Sequence, residues 1–343
     1  MVATVIRAAK FACWLQRQWR STTPWHTLLI PLSWLFGAIS LLRRLFYKTG
    51  VLQTQQLTVP VIIIGNINVG GTGKTPLVIW LAQQLAAQGW RPGIISRGYG
   101  GQAETPQAVT AYSDAHMMGD EPRLVAQHVS CPVWIGRNRP AAGRALLAAH
   151  PQTNILISDD GLQHYALARK VEIIVIDSAL GLGNSRLLPA GPLREPVARL
   201  QQVDAVVINQ TDGRHPSIPL LPDIYTMQLS GLDFHNLQQP NRRASAADFS
   251  SHLIHAVAGI GHPQRFFAQL ATLGLNIIPH AFPDHHPYTA ADLDFTGIII
   301  MTEKDAVKCQ PFATEHMWVW PVHAQLAPEF LPRLLAKLGN HHG

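Results

Sequence analysis

The chain has 343 residues, 47% of them hydrophobic, a net charge of +6 and a mean hydropathy of +0.07, which suits one large or two ordinary globular units, each with its own core. Cys13, Cys131 and Cys309 fall in no CxxC or Cys/His spacing, which excludes a disulfide framework and a zinc site and fits a reducing compartment. Residues 1–50 hold seven basic side chains and no acid, leaving the other 293 residues at −1; so confined an excess argues against a nucleic-acid partner and for an anionic membrane surface.

Arg7, Lys10, Arg17 and Arg20 precede an uncharged stretch from Thr27 to Leu42 that contains Pro31 and ends at Arg43 and Arg44. As a helix, those residues rise only about 24 Å, short of a hydrocarbon core of roughly 30 Å. Trp14, Trp19, Trp25 and Trp34 favour the headgroup level. The pattern predicts a membrane-associated helical segment over residues 1–50, either monotopic or a single span, without the small-residue cleavage site of a signal peptide.

Val61 to Ile64 reads as a buried strand, followed by a glycine-rich turn and, at Pro76, the start of a helix. The turn fits the phosphate-loop pattern G-x-x-x-x-G-K-[ST] at Gly73, Lys74 and Thr75, with Asn68 where the first glycine belongs. Asn tolerates left-handed backbone angles, so Asn68 is a plausible substitute. The backbone of Asn68, Val69, Gly70, Gly71, Thr72 and Gly73 would wrap a triphosphate, with Lys74 on its outer phosphates and the Thr75 hydroxyl on Mg²⁺. Val69 stands where membrane-partitioning ATPases carry a signature lysine, which separates the chain from that class.

Further along, "SRGYGG" puts Arg97 in a loop after a short strand, and "MMGDEPRL" places Asp120 and Glu121 at a helix start, by themselves an ordinary N-cap. "TNILISDDGLQH" ends a strand in Asp159 and Asp160, where Mg²⁺ sits in sheets of this type. Asp177 closes "VEIIVID" as a second strand-end acid of structural character. Arg186 and Arg194 occupy a Pro/Gly-shaped loop that suits an anionic substrate or plain solvent equally. "FPDHHPY" offers His285 or His286 for proton transfer, and "MTEKDAVK" carries Lys304 and Asp305, a faint echo of the base-reading NKxD of GTPases.

In this order, "PWHTLLIPLSWLFG", "GNINVGGTGKTP", "SRGYGG", "GDEP", "DDGLQH", "LLPAGPLREP", "FPDHHPY" and "TEKDAVK" run from about Pro24 to Lys308. Together they resemble the tetraacyldisaccharide 4'-kinase (lipid A 4'-kinase) family, in which Asn at the loop's first position is itself typical. The family's N-terminus usually begins near residue 16, so residues 1–15 are either an extension or a misassigned start.

The resemblance implies an ATP- and Mg²⁺-dependent kinase on the cytoplasmic face of the bacterial inner membrane. It would phosphorylate the 4'-hydroxyl of a tetraacyldisaccharide 1-phosphate to give lipid IVA, with no obligate protein partner. It also implies that Lys74, Asp159 and Asp160 belong to the catalytic centre and that Thr75, Asp159 and Asp160 serve the metal. Asp120 becomes the base on the sugar hydroxyl, His285 its partner, and Arg97 and Arg194 contacts for substrate or nucleotide phosphates. A membrane-associated P-loop switch ATPase that recruits proteins is the competing reading.

Alternating strands and helices predict an α/β fold: a P-loop NTPase-type core with a mainly parallel sheet over residues 51–235. A polar linker over 236–251 and a smaller α/β domain over 252–343 would follow, with the active site in the cleft between the two.

Overall fold

The computed structural model describes residues 18, 19, 23, 26–210, 218, 223–231 and 233–339. Arg7, Lys10, Trp14, Arg17, Arg20 and Trp25 of the basic, Trp-bearing segment lie outside them. The elements described in full begin with α1 (His26–Lys48), followed by β1 (Val61–Gly65), α2 (Lys74–Ala87), β2 (Pro92–Ser96), β3 (Gln107–Val109), α3 (Ala115–Met118), α4 (Asp120–His128) and β4 (Val133–Ile135). Then come α5 (Arg139–Ala149), β5 (Ile155–Asp159), β6 (Val171–Asp177), β7 (Ala205–Gln210) and β8 (Ile224–Gly231). These strands, joined late by β15 (Val322–Leu326), form one sheet in the order β15-β8-β7-β6-β1-β5-β2-β4-β3. Only its two edge strands, β3 and β15, run antiparallel to their neighbours.

β1 lies between β5 and β6 with every residue buried. Its side chains alternate between two cores, as strand geometry demands. Ile62 and Ile64 join Leu77, Leu81 and Leu85 of α2 on one face, while Val61 and Ile63 join Ala142 and Leu146 of α5 on the other. With both faces covered, the parallel strands read as continuous apolar runs. Because chain order reverses at β1, a crevice opens outside the carboxyl ends of β1, β5 and β6, where α/β sheets bind ligands.

The second sheet contains β9 (Phe234–Asn236), β10 (Arg243–Ala244), β11 (Leu253–Ala258), β12 (Asn276–Ala281), β13 (Ile298–Thr302) and β14 (Met317–Trp320), in the order β10-β9-β14-β13-β11-β12. Helix α6 (Pro263–Thr272) covers one face through Phe266, Phe267 and Leu270. Helix α7 (Glu303–Cys309) covers the other through Ala306 and Cys309.

Two boundaries differ from the sequence expectation. Residues 236–251 are not a linker: they end β9, form β10 and close in a 3-10 turn capped reciprocally by Ser245 and Asp248. Their polar composition reflects an edge position, since a two-residue edge strand has little to bury. Nor do residues 252–343 stay in the second unit. Pro321 separates β14 from β15, which pairs antiparallel with β8 of the first sheet, and α8 (Phe330–Leu338) packs Phe330 and Leu334 into the first core. The chain therefore passes from the first sheet to the second between β8 and β9 and returns at Pro321.

α1 is longer than its uncharged stretch, because Arg43, Arg44 and Lys48 lie on its last turns. At 23 residues it is long and apolar enough to cross a membrane by length and composition. One side of it docks on the core. Ser33 Oγ donates to the Leu187 carbonyl at 2.9 Å and accepts from the Ala190 N–H at 3.0 Å, Arg44 reaches Gln202 at 2.7 Å, and Tyr47 meets the Tyr165 ring. The other side exposes Leu28, Leu32, Trp34, Leu35, Ile39 and Leu42.

Candidate active site

The turn after β1 is shaped by its neighbours as much as by its glycines. Gly70 and Gly73 take positive φ values of 119° and 88°. At Gly73 a side chain is doubly excluded, because a Cβ would collide with the Asn209 amide. Asn209, at the end of β7, donates to the Thr72 carbonyl at 3.1 Å and so props the loop from below. Asn68 is buried and is not among the described residues with positive φ. The left-handed rationale for it therefore fails; instead it bridges Leu193 and points its amide at the Gly181 carbonyl, 3.4 Å away. The neighbouring Val69 N–H donates to the Pro192 carbonyl at 2.9 Å. The side-chain amide thus ties the loop to Gly181, a bond that glycine at this position could not make.

Lys74 opens α2, and its ammonium lies 3.1 Å from Asp160 Oδ1. Arg194 stands 3.8 Å from the other Asp160 oxygen. Burial would raise the Asp160 carboxyl, but Lys74 and Arg194 outweigh it and hold the group below the ordinary range. Asp159 is the opposite case: burial, with Glu121 nearby, pushes it up to about 7, and its Oδ1 has no hydrogen-bond partner. The buried Arg139 guanidinium donates to the Asp159 carbonyl at 3.1 Å, fixing the strand end, while its charge offsets only part of the effect of burial on the carboxylate.

A buried carboxylate with one oxygen unpartnered, beside a phosphate loop, is the donor that Mg²⁺ would satisfy, and Thr75 and Asp160 line the same cleft. Among the described residues no group of three His, Cys, Asp or Glu side chains forms a metal site unaided. That suits an ion which takes most of its ligands from phosphate and water.

The second sheet faces this loop with different chemistry. His285, at φ 59°, turns its Nδ1 to both oxygens of Asp120, at 3.0 and 3.1 Å. Asp120 is not an N-cap: Gly119 holds that position at φ 90°, where a Cβ would meet the Tyr99 carbonyl. Freed from capping, the Asp120 carboxylate accepts from the imidazole and from the Glu121 N–H at 3.0 Å. Burial works against its ionised form, yet the His285 bond, Lys304 and Lys308 keep its pKa below the usual carboxylate value. Burial likewise disfavours imidazolium, but the Asp120 bond prevails and raises His285.

His286 points elsewhere, its Nε2 3.4 Å from Asp292 and its ring against Phe282 and Tyr288. Geometry thus separates the two histidines, which chemistry alone left equal.

Lys74, Thr75, Arg97, Asp159, Asp160, Arg194 and His285 share one cleft of about 580 Å³. Arg186 is not on its wall. Asp177 accepts an ion pair from Arg265 of α6 at 3.4 Å, and Arg265 also donates to Asn209 at 3.0 Å. This makes Arg265, which no motif marked, a tie between the second sheet and the residue propping the phosphate loop. Asp305 does not read a base: it is fully buried and accepts from Thr302 Oγ1 at 2.6 Å and the Gly259 N–H at 2.9 Å. Tyr99, its ring 5.2 Å from His285, also escaped notice, although it sits in the "SRGYGG" loop.

The profile of the family described as Tetraacyldisaccharide-1-P 4'-kinase matches residues 25–339. The tetraacyldisaccharide 4'-kinase of Methylobacillus flagellatus is 50% identical over 96% of each chain. That of Azoarcus sp. is 52% identical over 95% of each. Among solved structures, LpxK from Aquifex aeolicus, crystallised in complex with ATP, superposes with a TM-score of 0.77 at 29% identity, covering 91% of this chain and 98% of its own.

Proposed function

The chain belongs to the tetraacyldisaccharide-1-P 4'-kinase family, and on that premise we propose how its residues share the work of moving a phosphoryl group. The reaction takes the γ-phosphoryl of ATP to the 4'-hydroxyl of a tetraacyldisaccharide 1-phosphate and yields lipid IVA and ADP. The hydroxyl oxygen forms a bond to γ-phosphorus while the bond from that phosphorus to the β-phosphate bridging oxygen breaks. The hydroxyl proton passes to Asp120.

One observation carries this reading: Asp120, at the start of α4 beside the first sheet, meets His285 of the second, and His285 and Lys74 line a common cleft. A donor phosphate at the Lys74 loop and an acceptor hydroxyl beside the Asp120–His285 pair would meet there.

Lys74 and the loop amides would hold the β- and γ-phosphates and draw off developing charge. Bound Mg²⁺, held by Thr75, Asp159 and Asp160, would supply further charge neutralisation at those phosphates. Asp120 needs no metal for its part. His285 orients it, and the Lys304 and Lys308 cations keep it anionic. Arg97 and Arg194 would meet phosphate oxygens at the cleft wall. The test combines the protein, ATP, Mg²⁺ and the disaccharide 1-phosphate in detergent micelles. Lipid-dependent formation of a bisphosphorylated product is expected; ATP turnover that ignores the lipid would favour the switch-ATPase reading instead.

The acceptor is held in a bilayer, so the enzyme must come to it. We assign α1 a monotopic role on the cytoplasmic face. Its docked side runs from Ser33 to Tyr47 against the core, and drawing the helix through a bilayer would strip those contacts. The exposed apolar side would enter the headgroup–acyl boundary. Replacing Leu35 and Ile39, exposed at 58% and 59%, with glutamate is expected to weaken vesicle binding by about a hundredfold or more, at roughly 1.5–3 kcal/mol per apolar side chain withdrawn. Activity on micellar substrate should persist. Co-sedimentation with anionic vesicles measures this, and unchanged binding would refute the assignment.

A further inference from the structure

Lys304 lies in the first turn of α7, but its ammonium serves groups on two other segments. It contacts Glu121 Oε1 at 2.9 Å, Asp284 Oδ1 at 3.0 Å and His285 Nε2 at 3.3 Å. An ammonium has three N–H donors and no lone pair, so it can only donate, and three acceptors use all it has. His285 Nε2 must therefore present its lone pair.

The other ring nitrogen meets the opposite demand. Nδ1 faces both oxygens of Asp120, and an ionised carboxylate can only accept, so Nδ1 carries the proton. Two independent neighbours thus select the same tautomer. Asp284 does not compete for Nε2: its oxygen is 3.8 Å away, beyond hydrogen-bond reach, and is already engaged by Lys304.

We propose that Lys304 is a positioning residue for phosphoryl transfer: by donating to His285 Nε2 it locks the Nδ1–H tautomer onto Asp120 and opposes a second proton on the ring. Asp120 then remains a carboxylate free to take the hydroxyl proton. The inference rests on the reading of Asp120 as the base.

The charged and titratable groups around the ring fix the direction of the effect. Asp120 and Glu121 approach from α4, Asp284 from the ring's own loop, Lys304 and Lys308 from α7, and the Tyr99 ring from the loop after β2. Removing the Lys304 ammonium takes away the cation nearest Nε2 and leaves Glu121 and Asp284 unopposed. Both changes favour imidazolium. Lys308 cannot substitute, since it stands 4.0 Å from Asp120 and is paired with Asp305 at 3.1 Å.

The experiment uses the full-length protein labelled with ¹⁵N-histidine together with pH–rate profiles. In the wild type, long-range ¹H–¹⁵N spectra are expected to show His285 protonated at Nδ1 and bare at Nε2. K304M should mix the tautomers, move the acid limb of kcat upward by about one pH unit or more, and lower kcat near neutrality about tenfold without a matching rise in KM for ATP. K304R, which keeps the cation, should leave the limb in place.

A proton on Nε2 in the wild type would overturn the proposal, as would a K304M limb that does not move. If K304M fails to fold, the wild-type tautomer and the K304R profile still decide. D120N, run in parallel, separates the two readings. Retained kcat in D120N would remove Asp120 as base, whereas a lost kcat in D120N with an unmoved K304M limb would remove only the role of Lys304.

Discussion

K74A is expected to lower kcat about a thousandfold, on the scale seen when one preorganised donor to transition-state charge is lost. The fold should be nearly untouched. The Lys74–Asp160 pair is partly open to solvent, with Asp160 35% exposed, and such pairs contribute about 1 kcal/mol or less. Asp160 also keeps Arg194 at 3.8 Å. The loop itself is held without Lys74, by Asn209 on the Thr72 carbonyl and by the Val69–Pro192 backbone bond. Thermal unfolding and single-turnover phosphate transfer measured on one preparation check both halves of the expectation. Full activity in a folded K74A protein would remove the phosphate loop from the mechanism.

What the sequence made legible follows from how local each signal is. The phosphate loop is a contiguous run whose strand, turn and helix are each encoded in place, so Gly70 to Thr75 could be read directly. Asp159 and Asp160 were legible for the same reason, as polar residues ending an apolar strand. Asp120 was not, because its partner lies 165 residues away and its position at a helix start imitates a cap. Only the glycine before it, already at φ 90°, fills that role, and backbone angles are not visible in composition. Resemblance to a family supplied the pairing that periodicity could not.

The misplaced linker has a related cause. Whether a polar stretch is a tether or a sheet edge depends on what lies beside it, and β10 pairs with β9, which borders β14 some eighty residues later in the chain. Likewise Arg265 looked like any helix-surface cation until the fold brought it to Asp177 and Asn209. Residues that work across the cleft are the ones a linear reading loses.

D120N is the second variant of large effect. It preserves the shape of a side chain that is only 5% exposed, and its amide oxygen can still accept from the His285 Nδ1–H. The amide cannot take up a proton from the sugar hydroxyl. Loss of a general base costs roughly 10²- to 10⁴-fold, so kcat should fall within that range while ATP affinity, set at the loop of residues 70–75, stays as it was. Equal losses in kcat and ATP affinity would reassign Asp120 to binding.

The pH behaviour of the wild type and D120N carries a second test, with opposite signs for stability and activity. The folded state raises His285, so its contribution to stability is complete below the unfolded imidazole value of about 6.5 and is lost as pH rises through the higher folded value. Asp120 is depressed, so its contribution is present above about 3.9 and is lost as pH falls through its lower folded value. The pair therefore adds most stability between about pH 4 and 6.5, and the stability gap between wild type and D120N should be widest there. Activity runs the other way. While His285 is imidazolium, Asp120 is held in an ion pair and is a poor base, so kcat should climb as pH passes the raised imidazole value. The two groups titrate as a coupled pair, and the limb belongs to the pair. The wild-type enzyme should thus gain activity over the interval in which the pair stops stabilising the fold. Denaturant unfolding and kcat measured at matched pH values would expose a failure of either half.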